Sequence, residues 1–313
     1  MNVFMTGATG VIARRAIPML RRGGHSVTAV VHAEGSRQRM AQIGVTSIVA
    51  NLFDRDALVR AMRGHDAVIN LATHIPHSSR QMFLPGAWRE NDRLRRYASA
   101  ALVDAALASG VTRFVQESFA PVYPDAGDRW IDEHTPLRPV RYNRTVADAE
   151  ASAGRFQETG RTAVVLRFGG FYGPDASQTH EMIQWVKRGW GPLPGRGTAY
   201  ISSVSHDDAA AAVAGALSLP AGAYNVVDDE PVTHREFFDT LADALGVQRP
   251  KLPAAWLTPL FGSLGQMMAR SLRISNRKLR SLSSWVPEYP SVRQGWRAAV
   301  STRIASAAVS LRV

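Results

Sequence analysis

The chain contains no cysteine. That excludes disulfides, thiolate nucleophiles and cysteine-held metals. Lysine is almost as scarce, occurring only at Lys187, Lys251 and Lys278. Nearly all of the positive charge is therefore arginine, and any chemistry that needs an ammonium group has few places to find one. No apolar run approaches the roughly 18 residues that span a bilayer. Met1 to Thr6 lead directly into a glycine turn, without the basic and apolar stretches of a secretory signal. A cytoplasmic protein without membrane contact is the expectation. His74 and His77 lie three apart but flank Pro76 in a predicted loop, a poor spacing for a metal, and no metal site is expected.

What the chain does have is 313 residues, 45% of them hydrophobic, and a formal charge of +11. The apolar share is ordinary for a protein with a real core. The arginines are scattered along amphipathic stretches and form no single run. This argues against nucleic acid as a partner and fits the attraction of a phosphorylated small molecule.

Short β-rich runs alternate with helical ones through the first half. The pattern predicts strands at 3–5, 27–31, 46–50, 67–71, 113–116 and 163–167. It predicts helices at 11–22, 36–43, 54–62 (with Asp54 as N-cap), 87–109 and 142–158. Such alternation implies an α/β fold of the Rossmann type, a doubly wound parallel sheet whose ligands bind at the carboxyl ends of the strands. Residues 1–168 read as the nucleotide-binding domain. Residues 169–313 read mainly as a smaller C-terminal substrate-binding lobe, with segments returning to the first domain. The last stretch, 302–313, reads as a loosely held helix or disordered.

The first strand is followed by Thr6-Gly7-Ala8-Thr9-Gly10-Val11-Ile12-Ala13, which opens a helix. Gly7 allows a tight turn, and Gly10 lets backbone amides approach a pyrophosphate at the helix N-terminus. Gly7, Thr9, Gly10, Val11 and Ile12 are therefore candidate contacts to a dinucleotide. An acid at the end of the second strand would hold an adenosine ribose 2′-hydroxyl. His32 stands there instead, with Glu34, Arg37 and Arg39 following. A basic neighbourhood suits a 2′-phosphate, so NADP is the expected cofactor, through His32 and Arg37, with NAD as the alternative.

Further motifs occur in a fixed order. Asn51-Leu52 follows the third strand and Asn70-Leu71-Ala72-Thr73 the fourth, and Asn91 lies in the next helix. Leu166-Arg167-Phe168-Gly169-Gly170-Phe171-Tyr172-Gly173-Pro174, Ser205-His206-Asp207-Asp208-Ala209-Ala210 and Tyr224-Asn225-Val226 come later. Ser275-Asn276-Arg277-Lys278-Leu279 and Tyr289-Pro290-Ser291 follow near the end. Over nearly its whole length the chain resembles the extended short-chain dehydrogenase/reductases, the group that includes nucleotide-sugar epimerases and dehydratases. The resemblance implies cofactor contacts from Asn51, Leu52, Leu71, Ala72 and Thr73. It also implies a homodimer built on the helices beginning near 87 and 142.

The same resemblance implies a Tyr-x-x-x-Lys pair and a Ser or Thr three residues before Val-Tyr. In that pair the lysine cation lowers the phenol pKa so that it can exchange a proton while hydride moves. Tyr142 is present, but the lysine position is Val146. The hydroxyl position before Val122-Tyr123 is Phe119, with Ser118 next to it. Tyr142 and Ser118 are the catalytic candidates, and Glu117 and His74 are further polar groups at the strand ends. Phe119, Tyr123, Trp88, Phe171, Trp185 and Tyr200, with His74, are candidates for an apolar, aromatic substrate pocket. The leading expectation is an NAD(P)-dependent oxidoreductase acting on a small apolar or aromatic carbonyl or alcohol. A non-redox isomerase, lyase or cyclase, and a cofactor-sensing regulatory protein, remain the alternatives.

Overall fold

The computed structural model describes residues 1–76, 78–84, 86–192 and 195–310. Seven strands are the frame: β1 (Asn2–Thr6), β2 (Ser26–Val31), β3 (Thr46–Val49), β4 (Ala67–Asn70), β5 (Arg113–Phe119), β6 (Thr162–Phe168) and β7 (Gly222–Val226). All pair in parallel, in the order β7-β6-β5-β4-β1-β2-β3. The order reverses between β1 and β4, the switch point at which such sheets open a crevice for ligands. The last strand comes from well beyond residue 168, so the sheet itself takes in a returning segment.

The central strands are apolar on both faces because helices cover both. Val3 and Met5 enter one core with α1 (Val11–Arg22) and the helix His206–Gly215. Phe4, between them, points to the other core, with α2 (Arg55–Met62), α4 (Ser99–Ala108) and α5 (Thr145–Glu158). Here α3 denotes Arg89–Arg93, the start of the helix that α4 continues. Asp54 caps α2, accepting from the Ala57 amide at 3.0 Å. A separate core gathers Tyr172, Ile183, Phe237, Phe238 and Leu241 around the fully buried Trp296. Trp296 belongs to the C-terminal helix Val292–Ser310, so residues 302–310 continue a helix that is anchored upstream. The three final residues lie outside those described.

Two predicted helices are built differently. The stretch 87–109 is not one α-helix: a π turn, Leu94–Ala98, separates α3 from α4. The Ser99 amide donates to the Leu94 carbonyl, five residues back. The Ser99 hydroxyl donates to the same carbonyl at 3.4 Å and accepts from Asn70 in the sheet at 3.2 Å. The predicted helix 142–158 starts only at Thr145. Arg141–Asn143 form a 3₁₀ turn pinned by Asn143, which donates to the Pro121 carbonyl at 3.1 Å and accepts from the Val140 amide at 2.9 Å.

Asn70 ends β4 and is 2% exposed. Its carbonyl oxygen accepts from the Thr6 hydroxyl at 2.6 Å and from the Ala72 amide at 3.3 Å. Its amide donates to Gln116 at 2.9 Å as well as to Ser99. Asn70→Ala would leave Thr6 and Gln116 without these partners in the core, at about 1–3 kcal/mol for each unsatisfied group. The expected loss in denaturant unfolding is therefore about 2–4 kcal/mol, and a loss below about 1 kcal/mol would show that the junction is dispensable.

Candidate functional site

The carboxyl ends of β1 and β4 form a cradle. Gly7 has φ +67°, a conformation that favours glycine. A side chain there would press into the Leu71 backbone, so the glycine also allows the two loops to touch. The Gly10 amide donates to the Gly7 carbonyl at 2.9 Å. Gly10 then caps α1 with extended backbone, no side chain closes the first-turn amides, and no acid sits in that turn. Open amides at a positive helix end are what a pyrophosphate needs. Ala72 is held by Asn70, and the His74 amide donates to Asn91 Oδ1 at 2.9 Å. The residues present thus fit a dinucleotide. Farther along, Arg15 of α1 ties this helix to the C-terminal lobe, reaching Asp175 at 2.9 Å and Asp207 at 2.8 Å. The hydrogen bond from His206, with the Arg15 guanidinium, holds the Asp175 carboxyl well below the usual carboxylate range.

At the adenosine end, His32 and Arg37 are exposed. Arg37 is paired with Glu34 at 3.3 Å. Asn51 folds back locally, accepting from the Phe53 amide at 3.0 Å, beside the half-buried Leu52.

Tyr142 lines a cleft of about 620 Å³ together with Met82, Phe83, Trp88, Tyr97, Phe261 and Leu264. Trp88 meets the Tyr142 ring edge-on, with centroids 4.6 Å apart, and Phe83 lies 5.7 Å from Phe261. Arg89, Arg93, Arg96 and Arg141 stand around it. Arg93 is held by Glu90 and Arg96 by Asp148, each at 2.8 Å. Burial pushes the Tyr142 phenol well above its usual range, against the pull of Arg95 and with the push of Asp92. One helix joins the cleft to the cradle: α3 turns Trp88 and Asp92 to the Tyr142 side and Asn91 to the β4 loop.

Ser118 is fully buried, and its hydroxyl donates to Glu150 at 2.5 Å. Glu150 also takes a bidentate pair from Arg167, at 2.9 and 2.7 Å. Arg167 continues to the Tyr123 hydroxyl at 2.7 Å, and Tyr123 donates to Asn225 at 2.8 Å. Burial pushes the Tyr123 phenol up to about 12, with Arg167 opposing.

A family model described as NAD(P)H-binding matches residues 7–220. The chain belongs to this NAD(P)H-binding, extended short-chain dehydrogenase/reductase family. It is 32% identical to a 3-diazoavenalumate denitrifying reductase of a Streptomyces species, over 94% of this chain and 99% of the relative. It is 27% identical to a 4-hydroxy-2-methyl-3-oxo-4-farnesyl-3,4-dihydroquinoline-1-oxide ketoreductase of Stigmatella aurantiaca, over 79% of this chain and 74% of the relative. Its fold matches the crystal structure of a human epimerase family protein with NADPH. There the TM-score is 0.81 at 20% identity, over 96% of this chain and 99% of that one. The chain is thus an NAD(P)-binding enzyme of the reductase- or epimerase-like kind.

The candidates from the sequence divide accordingly. Gly7, Thr9, Gly10, Val11 and Ile12 converge with Leu71, Ala72 and Thr73 at the cradle. Val146 is fully buried in the first turn of α5. Ser118 and Tyr123 both engage their hydroxyls inside the Glu150–Arg167 network, and neither lines the cleft that holds Tyr142. Phe171 packs on Phe168 at 5.3 Å, Tyr200 lies under Arg273 at 4.9 Å, and Trp185 is 42% exposed on the helix Ser177–Lys187. These three, with Phe119 and His74, are also absent from the cleft lining, where Trp88 alone of the aromatic pocket candidates joins Tyr142. His77 lies outside the described residues. Sequence reading missed Phe83, Tyr97 and Phe261. Only Tyr97 carried a signal, as an aromatic on an otherwise charged stretch of helix.

Gly10→Asp would set a carboxylate against the open amides of α1. A Cβ there meets only the Gly7 carbonyl, at 3.1 Å, so the fold should persist. Calorimetry should find NADP(H) binding lost with the melting temperature little changed; unaltered affinity would remove the glycine turn from the cofactor site.

Proposed function

We propose that the enzyme is an NADPH-dependent reductase of a small, apolar or aromatic carbonyl compound, with Tyr142 as proton donor. The observation that carries the reading is the phenol of Tyr142 in the wall of an aromatic cleft, one helix away from the cofactor cradle. When bound, the cofactor supplies a hydride to the carbonyl carbon. The chain's part is to hold the substrate between aromatic walls and to pass the Tyr142 proton to the carbonyl oxygen. The phenolate left behind takes a proton from solvent. A phenol raised by burial remains protonated at neutral pH, which favours reduction over alcohol oxidation. Arg89 and Arg141 have no carboxylate partner among the described residues, and they suit a substrate that also carries an anionic group. The similarity to a 3-diazoavenalumate denitrifying reductase and to a dihydroquinoline-1-oxide ketoreductase supports this class. NADPH over NADH is supported by the missing acid at His32 and by the basic Arg37. The protein is proposed to work in the cytoplasm as a homodimer through α4 and α5.

A second reading is a non-redox isomerase, lyase or cyclase on the same scaffold. It is favoured by Val146 and by the engagement of Ser118 inside the core.

Tyr142→Phe should lower turnover by roughly 10²–10⁴-fold, the usual worth of a general acid, while cofactor affinity stays nearly constant. The assay is a panel of aromatic carbonyls with and without a carboxylate, read by mass and by nicotinamide absorbance together. Product without cofactor consumption, indifferent to Tyr142→Phe, would transfer the case to the second reading.

NADPH should bind more tightly than NADH, and Arg37→Ala should narrow the difference. Titration of both cofactors decides this, and a preference for NADH in the unmutated protein would refute it. Light scattering at micromolar concentration tests the dimer, which a monomer mass would exclude.

A further inference from the structure

The two most exposed large apolar side chains among the described residues are Leu260 and Trp256, at 79% and 76%. Both stand on the 3₁₀ helix Ala255–Phe261, none of whose residues is buried. The whole stretch 253–263 carries no charge and has no buried residue. A single exposed leucine needs no explanation, but a helical element without an inward face does. Its one engaged ring is Phe261, which meets Phe83 in the cleft wall. Trp256 and Leu260 stand on the same element, at the mouth of that cleft.

A second exposed stretch adjoins the first. The helix Ser177–Lys187 ends in Trp185 and Lys187, and Arg188 and Trp190 follow, all four exposed. Trp190 forms a β-bridge with Lys251, two residues before the uncharged stretch. The Lys251 amide donates to the Gly189 carbonyl at 2.8 Å, and its carbonyl accepts from the Gly191 amide at 2.9 Å. Lys187, Arg188 and Lys251 are exposed and have no carboxylate within ion-pair reach among the described residues. The acids of the neighbouring helix His234–Leu245 are taken: Asp239 meets Arg235 and Arg249, and Asp243 meets Arg249. Two of the chain's three lysines therefore stand among exposed tryptophans with no counter-charge.

Apolar side chains beside unpaired cations match a bilayer surface with anionic headgroups. Tryptophan and leucine enter the boundary between headgroups and chains, while lysine and arginine stay at the phosphates. A second copy of this chain is a poorer occupant, because a two-fold contact sets the same three cations against each other. Nucleic acid would meet the cations but give Leu260 nothing. We propose that this face of the lobe docks the enzyme on an anionic membrane surface, with Trp256 and Leu260 inserted and Lys187, Arg188 and Lys251 at the headgroups. No helix among the described residues is long and apolar enough to cross a bilayer, and docking needs none. Phe261 carries the docked element into the cleft wall, so a membrane-dissolved substrate reaches the cleft without crossing water. Docking itself does not depend on Tyr142 as proton donor.

The full chain is sedimented with vesicles of phosphatidylcholine alone, and with vesicles of phosphatidylcholine and phosphatidylserine in equal parts. Binding is expected on the mixed vesicles, weaker on the neutral ones, and falling with added salt. Lys187→Gln/Arg188→Gln/Lys251→Gln should weaken it about 100-fold, since each basic residue near an anionic surface contributes about fivefold. Trp256→Ser/Leu260→Ser should weaken it by at least about tenfold. All five side chains are exposed, so the melting temperature and NADP⁺ affinity should stay unchanged. Lipids brominated in their chains should quench tryptophan fluorescence in the wild type, and less so in Trp256→Ser. Absence of binding to the mixed vesicles overturns the proposal. So does binding that survives Trp256→Ser/Leu260→Ser, which is adhesion by net charge alone. Retention by an RNA oligonucleotide with vesicles ignored overturns it, as does a dimer that Trp256→Ser/Leu260→Ser turns into a monomer. No substrate enters the test, so failure of the reductase reading leaves its result untouched.

Discussion

The site depends first on the junction at Asn70. One buried amide side chain holds the carboxyl ends of β1 and β4, the middle of β5 and the start of α4 in a single geometry. Its carbonyl and amide each serve two partners, so no polar group at this crossing is left for water to satisfy. The cradle of Gly7 and Ala72 and the helix that bears Trp88 and Arg95 are referred to the same point. A low-dielectric interior makes such a junction stiff when it is complete and costly when it is broken.

A second polar assembly lies deeper, between β5, β6 and α5. Glu150 and Arg167 are only 13% and 8% exposed, and the pair is completed by Ser118, Tyr123 and Asn225. A buried ion pair is worth keeping only when its remaining donors and acceptors are met. That requirement accounts for the Ser118 hydroxyl. With Phe119 at the position where the resemblance implies a hydroxyl, the neighbouring serine turns inward and closes the network. Tyr142 remains as a hydroxyl in the lining of the cleft, together with Tyr97 and Ser263.

The frame of the molecule was legible in the sequence because it rests on local signals. The glycine turn between an apolar run and a helix, the alternation of strands and helices, and Asp54 as a cap each arise within a few residues. The cleft was not legible in the same way. Phe83 and Phe261 meet across more than half of the chain, and nothing near either residue announces the other. The π turn was hidden because the residues around it are ordinary helix formers, and only the tie from Ser99 to Asn70 reveals why the helix widens. Tyr123 read as a pocket aromatic because its hydroxyl partners, Arg167 and Asn225, belong to strands that come much later. The break before Thr145 was missed for a similar reason: Asn143 is held by the carbonyl of Pro121, a contact that periodicity does not encode.

The mounting of Tyr142 has a consequence for how this enzyme can diversify. The turn that carries the phenol is fastened by Asn143 to the loop after β5 and by Thr145 to Asp92, all within the Rossmann half. The facing wall is mixed: Phe83 comes from the same half, in the segment after β4, and Phe261 and Leu264 come from the lobe. The turn that carries Tyr142 and the residues that face it are therefore fastened separately. On the proposed reading, reshaping the wall at residues 83, 261 or 264 changes which molecule fits while the mounting of Tyr142 stays as it is. For protein engineering, that reading makes substrate range and chemical step separately adjustable on one scaffold.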